Sequence, residues 1–252
     1  MTKLSATIRV FTARACAAPL QDASRIFEER TGIRVLISQC DRHCAEPKAE
    51  RATAANASDD FLVEIADAGV HDLAIAGAEY LLDDGEVRGI CVAGQRRTIA
   101  LRRAAILLPA GNPKGVRELV DLARPGVRVA VSVIDCLKGA WEDICARAGL
   151  LEEVRRNITF HANGCVSLVE TVAEGRVDAA FGWTTFEHLA PGRIEVVPLP
   201  PEQSISRGTG VSMLSFAREP EAARRFIDFL VTPEARACYE RYGWTAPSGG
   251  SG

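Results

Sequence analysis

Short apolar runs alternate with amphipathic segments along the whole chain, and this pattern predicts a mainly parallel sheet flanked by helices. A strand is predicted at 7–12, followed by a helix whose apolar stripe ends before Gly32. The stripe consists of Leu20, Ala23, Ile26 and Phe27. The sequence therefore predicts the α/β class, beginning with a strand, helix and strand.

The same reasoning places the remaining elements. Strands are predicted at 33–37, 73–76, 127–133, 157–160, 177–181, 194–199 and 211–216. Helices are predicted at 45–57, after Ser58, at 137–148, at 166–174 and in two terminal stretches divided at Thr232-Pro233.

The long apolar segment 99–108 ends at Pro109 and is followed by turn residues, which predicts a crossover between two lobes. The first lobe is then residues 1–98 plus 206–247, and the second is residues 99–205. Residues 248–252 are expected to form a flexible tail.

Composition narrows the classes of partner. The 252 residues are 47% apolar and 25% charged, which is typical of a folded globular protein. The formal charge of -3 gives no general attraction to nucleic acid or to an anionic membrane. No apolar run approaches the roughly 20 residues that span a bilayer, so direct membrane insertion is not expected. A small or protein partner is favoured.

Eight cysteines are the unusual feature of the composition: Cys16, Cys40, Cys44, Cys91, Cys136, Cys145, Cys165 and Cys238. Cys16, Cys40, Cys136 and Cys165 each follow a predicted strand, and ligands bind outside the carboxyl ends of strands in open α/β sheets. Helices that begin near such thiols favour the thiolate. With Cys44, these residues predict a site for a soft metal such as zinc, or for an iron–sulfur cluster.

Other interpretations of the same residues stay open. Any single cysteine is more often a small packed side chain, and Cys91, Cys145 and Cys238 keep that interpretation. Cys40 and Cys44 are close enough in sequence for a disulfide. His43 and His161 lie near these loops and are either further metal ligands or ordinary surface residues. Arg42 and Lys138 either neutralise an anionic cluster or oxyanion, or are solvated surface charges.

Five phrases, in order, resemble the molybdate- and tungstate-binding proteins of ABC importers. They are FEERTGIRV at 27–35, HDLAIAGAEYLL at 71–82, LLPAGNPKGVRELVDLARPGVRVAV at 107–131, VETVAEGRVDAAFGW at 169–183 and AARRFIDFLVTPEARACYERYGW at 222–244. The resemblance implies the class II periplasmic binding protein fold. Two α/β lobes would close around one oxyanion held by hydroxyls and by amides at helix N-termini. A monomer working with the membrane component of an ABC transporter is also implied.

The sequence departs from that family at the positions expected to contact ligand. Ala15-Cys16-Ala17 stands where the family has a small Ala-Ser phrase, and Ser38 and Cys40 stand where serines and glycine are usual. Asp135, Cys136 and Cys165 occupy the corresponding loops of the second lobe, and Trp183 stands where an aromatic residue often lies near the cleft. The resemblance therefore implies a ligand set of Cys16, Ser38, Cys40, Asp135, Cys136, Cys165 and Trp183.

Three functions follow from these observations, and catalysis is not among the favoured ones, because the usual nucleophile, zinc-protease and phosphate-loop motifs are absent from the sequence. The favoured function is the binding component of an ABC transporter for a thiophilic metal or cluster. The alternatives are an oxyanion binder with structural cysteines, and a cytosolic metal-dependent sensor or enzyme. A periplasmic location is expected if an export signal has been removed, and a cytoplasmic one otherwise.

Overall fold

The computed structural model describes residues 6–40 and 61–247. The strands in this part are β1 (Thr7–Thr12), β2 (Arg34–Gln39), β3 (Leu73–Ala76), β4 (Arg97–Pro109), β5 (Val129–Ser132), β6 (Ile158–Ala162), β7 (Ala179–Trp183), β8 (Ile194–Pro198) and β9 (Ser206–Met213). The helices are α1 (Ala17–Thr31), α2 (Phe61–Ala68), α3 (Tyr80–Val87), α4 (Ala140–Ala148), α5 (Leu151–Asn157), α6 (Cys165–Ala173), α7 (Pro220–Leu230) and α8 (Pro233–Glu240). The predicted α/β class is confirmed.

Most predicted elements are present, and the differences have local causes. Strands β1 and β3 have the predicted bounds, whereas β9 begins at Ser206 rather than at position 211. Helix α3 was not predicted, since two aspartates and a glycine interrupt its apolar pattern. Helix α5 was missed because Val154 is its only buried residue. The predicted helix at 45–57 and the Ser58 cap lie outside the described residues.

The described chain forms two compact units. One contains residues 6–40, 61–101 and 208–247, and the other contains residues 102–207. Strand β4 therefore begins in the first unit and ends in the second.

The sheet of the first unit has the strand order β2-β1-β3-β9, with β4 next to β9. Strand β1 is parallel to both β2 and β3, while β3 is antiparallel to β9. Consecutive parallel strands require crossover segments, and α1 provides the connection from β1 to β2. The carboxyl ends of β1, β2 and β3 consequently lie at the same edge of this sheet.

Apolar faces of α1, α7 and α8 form the core of the first unit with the inner residues of the sheet. Phe27 of α1 packs on Phe226 and Phe229 of α7, with ring centroids 4.8 and 5.4 Å apart. Helix α1 ends at Gly32, whose φ of 69° lies in the left-handed region that favours glycine. The predicted apolar stripe is thus the buried face of α1.

The sheet of the second unit has the order β4-β7-β5-β6, and β8 pairs with β4 as well. Strand β5 is parallel to β6 and β7, and β4 is antiparallel to β7 and β8. The carboxyl ends of β5, β6 and β7 therefore share one edge of this sheet.

A buried aspartate fixes the beginning of the third parallel strand in each unit. In the first unit, Asp72 accepts hydrogen bonds from the backbone N–H groups of Arg9, Arg218 and Glu219, at 2.7, 2.7 and 3.0 Å. In the second, Asp178 accepts from the Arg128 backbone at 2.8 Å and from its guanidinium at 2.9 Å. Burial opposes ionisation of Asp178, but hydrogen bonds from Arg128 outweigh it and lower the pKa of this carboxyl.

Replacing Asp72 with asparagine should destabilise the protein by about 3 kcal/mol, because an amide leaves buried N–H groups without a good acceptor. Urea denaturation would measure the change. The control is Asp84→Asn, which removes a charge from the exposed Arg88 pair on α3 and should cost less than about 0.5 kcal/mol. Equal midpoints for the two variants would contradict the role assigned to Asp72.

Candidate functional site

Cys16 lies immediately before α1, but its side chain belongs to the core of the first unit. It is completely buried among apolar residues, and it makes no side-chain hydrogen bond that caps the helix. Its backbone N–H donates to the carbonyl of Ala13 at 2.8 Å. The surroundings of Cys16 fit the packing interpretation better than the ligand interpretation.

Cys40 follows β2 and connects the ends of the first two strands. Its sulfur accepts a hydrogen bond from the backbone N–H of Arg14 at 3.3 Å, and its own N–H donates to the carbonyl of Thr12 at 3.0 Å. Cys40 is fully buried. Ser38, two residues earlier, is exposed and lies opposite Phe11 in the β1–β2 register.

The predicted cysteines of the second unit lie at two turns. Asp135 and Cys136 lie in the 3-10 turn Asp135–Leu137, where the Cys136 carbonyl accepts from Arg207 Nη1 at 3.0 Å. Cys165 was expected in a loop, but it is the first residue of α6 and follows Gly164, whose φ is 96°. Both cysteines are buried.

These positions do not assemble a metal site within the described residues. No group of three or more His, Cys, Asp or Glu side chains in that part of the chain is placed to hold a metal ion. His161 is exposed on β6. Arg42, His43 and Cys44 lie outside the described residues. The thiolate–metal hypothesis consequently finds no support here and stays a prediction.

Burial keeps the other cysteines protonated, in agreement with the packing interpretation. It raises the pKa of the Cys91 thiol to about 11 and that of Cys145 to about 12. Burial also raises the pKa of Cys238. Cys91 packs so closely on Gly85 that a Cβ there would lie 2.7 Å from the sulfur.

Trp183 is the last residue of β7 and is fully buried. Two arginine side chains lie near its ring. The guanidinium carbon of Arg102 lies 5.1 Å from the centre of its ring, and that of Arg207 lies 5.9 Å away. Gly182 allows β7 to approach β4, because a Cβ at this position would lie 2.6 Å from Leu107 Cδ1. The close strand packing therefore fixes the backbone next to Trp183.

Several buried polar atoms around Trp183 have no hydrogen-bond partner among the described residues. They are Arg102 Nε, Nη1 and Nη2, Trp183 Nε1, Thr185 Oγ1 and Ser132 Oγ. Ser132 and Trp183 end β5 and β7, at the edge of the sheet where α/β proteins bind ligands. The guanidinium and indole nitrogens can only donate hydrogen bonds, whereas the two hydroxyls can donate or accept. These atoms together are therefore complementary to a ligand rich in acceptor oxygens.

Arg102 was missed in the sequence, where it stands inside the apolar segment 99–108 that predicted β4. The alternation of side chains along the strand could have revealed it, because residues at alternate strand positions share one face. Ala100 and Ala104 are small and buried, and Arg102 lies between them on the same face, whereas Arg103 is exposed. An arginine on the buried face of an apolar strand is an unusual feature, and it marks a candidate site.

Comparison with known proteins identifies the family. The sequence profile of the bacterial extracellular solute-binding protein family matches residues 8–245. The chain belongs to this family, which is not a family of enzymes.

Two relatives illustrate the similarity. The sulfate-binding protein of Synechococcus elongatus is 24% identical over 160 residues, which cover 56% of this chain and 45% of the relative. The molybdate-binding protein of Mycobacterium tuberculosis is 22% identical over 174 residues, covering 68% of this chain and 65% of the relative. The match thus spans roughly half to two thirds of these relatives.

Among solved structures, PEB3 of Campylobacter jejuni with bound L-phospholactate has a TM-score of 0.79 and 20% identity. The alignment covers 95% of this chain and all of PEB3. Identity at this level shows the fold alone. The described helices include none that is long and apolar enough to cross a membrane.

The burial of the cysteines predicts slow chemical labelling of the folded protein. In a Cys44→Ser variant, the seven remaining thiols should react with a thiol reagent at pH 8 at least about 100-fold more slowly than in urea, because buried thiols are inaccessible to the reagent. Mass spectrometry of labelled peptides would measure each rate. Rapid labelling of Cys91 or Cys145 in the folded protein would contradict this account.

Proposed function

We propose that this chain is the solute receptor of an ABC importer and that its solute is a small oxyanion. One observation carries the proposal: the buried donors of Arg102, Trp183 and Thr185 lack acceptors among the described residues. A buried donor without a partner is costly, so a bound ligand that supplies oxygen acceptors would stabilise this region.

The comparisons support the choice of an oxyanion. The relatives named above are a sulfate-binding protein, a molybdate-binding protein and a protein solved with L-phospholactate. Sulfate, molybdate and the phosphate group share a compact anion with several acceptor oxygens. The relatives therefore point to the same ligand chemistry as the donors around Trp183.

A receptor of this kind would work outside the cytoplasm and present its solute to the membrane component of the importer. Family membership supports this location.

A thiophilic metal remains the competing solute or cofactor. It would require Cys16, Cys40, Cys136 and Cys165 to act as ligands together with Cys44. Elemental analysis of protein purified without oxygen decides between the two. Metal at one equivalent per chain that is lost in Cys16→Ser and Cys136→Ser, but kept in Cys238→Ser, would favour the metal over the oxyanion.

Thermal unfolding with a panel of anions tests the proposal. At 100 times its Kd, a true solute should stabilise the folded protein by about 2.7 kcal/mol and raise Tm by about 5 °C or more. The panel contains molybdate, tungstate, sulfate, phosphate and L-phospholactate, with chloride at matched ionic strength as the control. Calorimetric titration would then give the Kd.

The proposal fails if none of these oxyanions changes Tm beyond the chloride control. Zinc is tested in a separate scan. If zinc raises Tm and none of the oxyanions does, the result favours the metal hypothesis.

A further inference from the structure

Arg102 carries a charge that the described protein does not neutralise. Its side chain is completely buried, and Nε, Nη1 and Nη2 all lack hydrogen-bond partners among the described residues. Buried charges in folded proteins are normally paired, because taking an ion out of water is unfavourable. An arginine in this state destabilises the protein unless a ligand compensates it.

The neighbours of Arg102 supply no acceptor in the part of the chain described. Its guanidinium packs on the Trp183 ring, which attracts a cation but provides no oxygen. Ala104 pairs with Trp183 in the β4–β7 register, and Arg102 lies two residues before Ala104 on β4. Thr185 lies two residues after Trp183, in the 3-10 turn Thr184–Leu189. Trp183 Nε1 and Thr185 Oγ1 are themselves buried without partners.

A second cation lies beside the same ring and is held by the protein. Arg207 donates from Nη1 to the Cys136 carbonyl at 3.0 Å and from Nη2 to the Lys138 carbonyl at 2.7 Å. These bonds orient Arg207. Two guanidinium groups therefore lie near one indole ring.

We propose that Arg102 binds the charged group of the solute directly and makes the site selective for anions. The inference rests on the proposed function and adds the residue that recognises the charge. A guanidinium can donate two parallel hydrogen bonds to one phosphate, sulfate or carboxylate group. Trp183 Nε1 and Thr185 Oγ1 supply further donors to the same group of oxygens.

A matched pair of variants tests this role. Arg102→Met removes the buried charge but keeps the length of the side chain, and Arg103→Met removes the same charge from the next, exposed position of β4. Calorimetric titration with sulfate, molybdate, phosphate and L-phospholactate should show at least a 100-fold weaker Kd in Arg102→Met. Arg103→Met should bind like the unmodified protein.

The same variants have a second readout that does not depend on binding. Without any oxyanion, Arg102→Met should have a Tm equal to or higher than that of the unmodified protein, because it no longer buries an uncompensated charge. Added oxyanion should raise Tm in the unmodified protein and in Arg103→Met, but not in Arg102→Met. If Arg102→Met does not fold, Arg102→Lys keeps the charge, and loss of the two parallel hydrogen bonds should weaken binding at least tenfold.

The outcomes separate this inference from the proposed function. If no oxyanion binds the unmodified protein, the proposed function fails. If an oxyanion binds it and binds Arg102→Met equally well, the receptor function stands and the role of Arg102 is wrong. A Tm of Arg102→Met well below that of the unmodified protein, with unchanged Kd, would identify Arg102 as a structural residue only.

Discussion

The structure of each unit depends on a buried aspartate that ties the beginnings of two parallel strands. Asp72 accepts from the backbone of Arg9, and Asp178 accepts from the backbone of Arg128. The registers agree, since Val10 pairs with Leu73 and Val129 with Ala179, so each aspartate lies beside its partner.

The contrast between these aspartates and Arg102 separates stability from function. Asp72 has three backbone donors, and Asp178 has a guanidinium and a backbone N–H, so their charges are compensated within their own unit. Arg102 is equally buried but has no such partner among the described residues. A charge that does not contribute to stability is best explained by binding, because functional sites are where proteins retain unfavourable groups.

The spacing of apolar residues was sufficient to predict the α/β class, because burial of one face of each element requires apolar residues at regular positions. The stripe on α1 and the runs that became β1 and β3 are apolar on the buried face, so their bounds could be predicted from sequence. Helix α5 could not, since Val154 is its one buried residue and a single buried position makes no apolar stripe. The family resemblance was also correct, since the family profile matches residues 8–245.

The candidate site was harder to predict, because residue type alone does not tell packing from binding. Cys16 and Cys40 follow strands as expected, yet the first lies in a hydrophobic core and the second accepts a hydrogen bond from a neighbouring turn. Their position along the chain was predicted correctly, but the direction of the side chain depends on tertiary packing. Arg102 was missed for a different reason, since most residues around it are apolar and the whole segment was predicted as a crossover strand.

The two units consequently differ in what they offer to an anion at the positions described. In the first unit, the Arg14 amide already donates to Cys40, and the Cys16 thiol is a weak donor held among apolar side chains. In the second, an arginine, an indole N–H and a hydroxyl have no acceptor. Charged donors form hydrogen bonds roughly twice as strong as neutral ones. Under the proposed function, Arg102 of the second unit would therefore form the strongest hydrogen bonds to the solute.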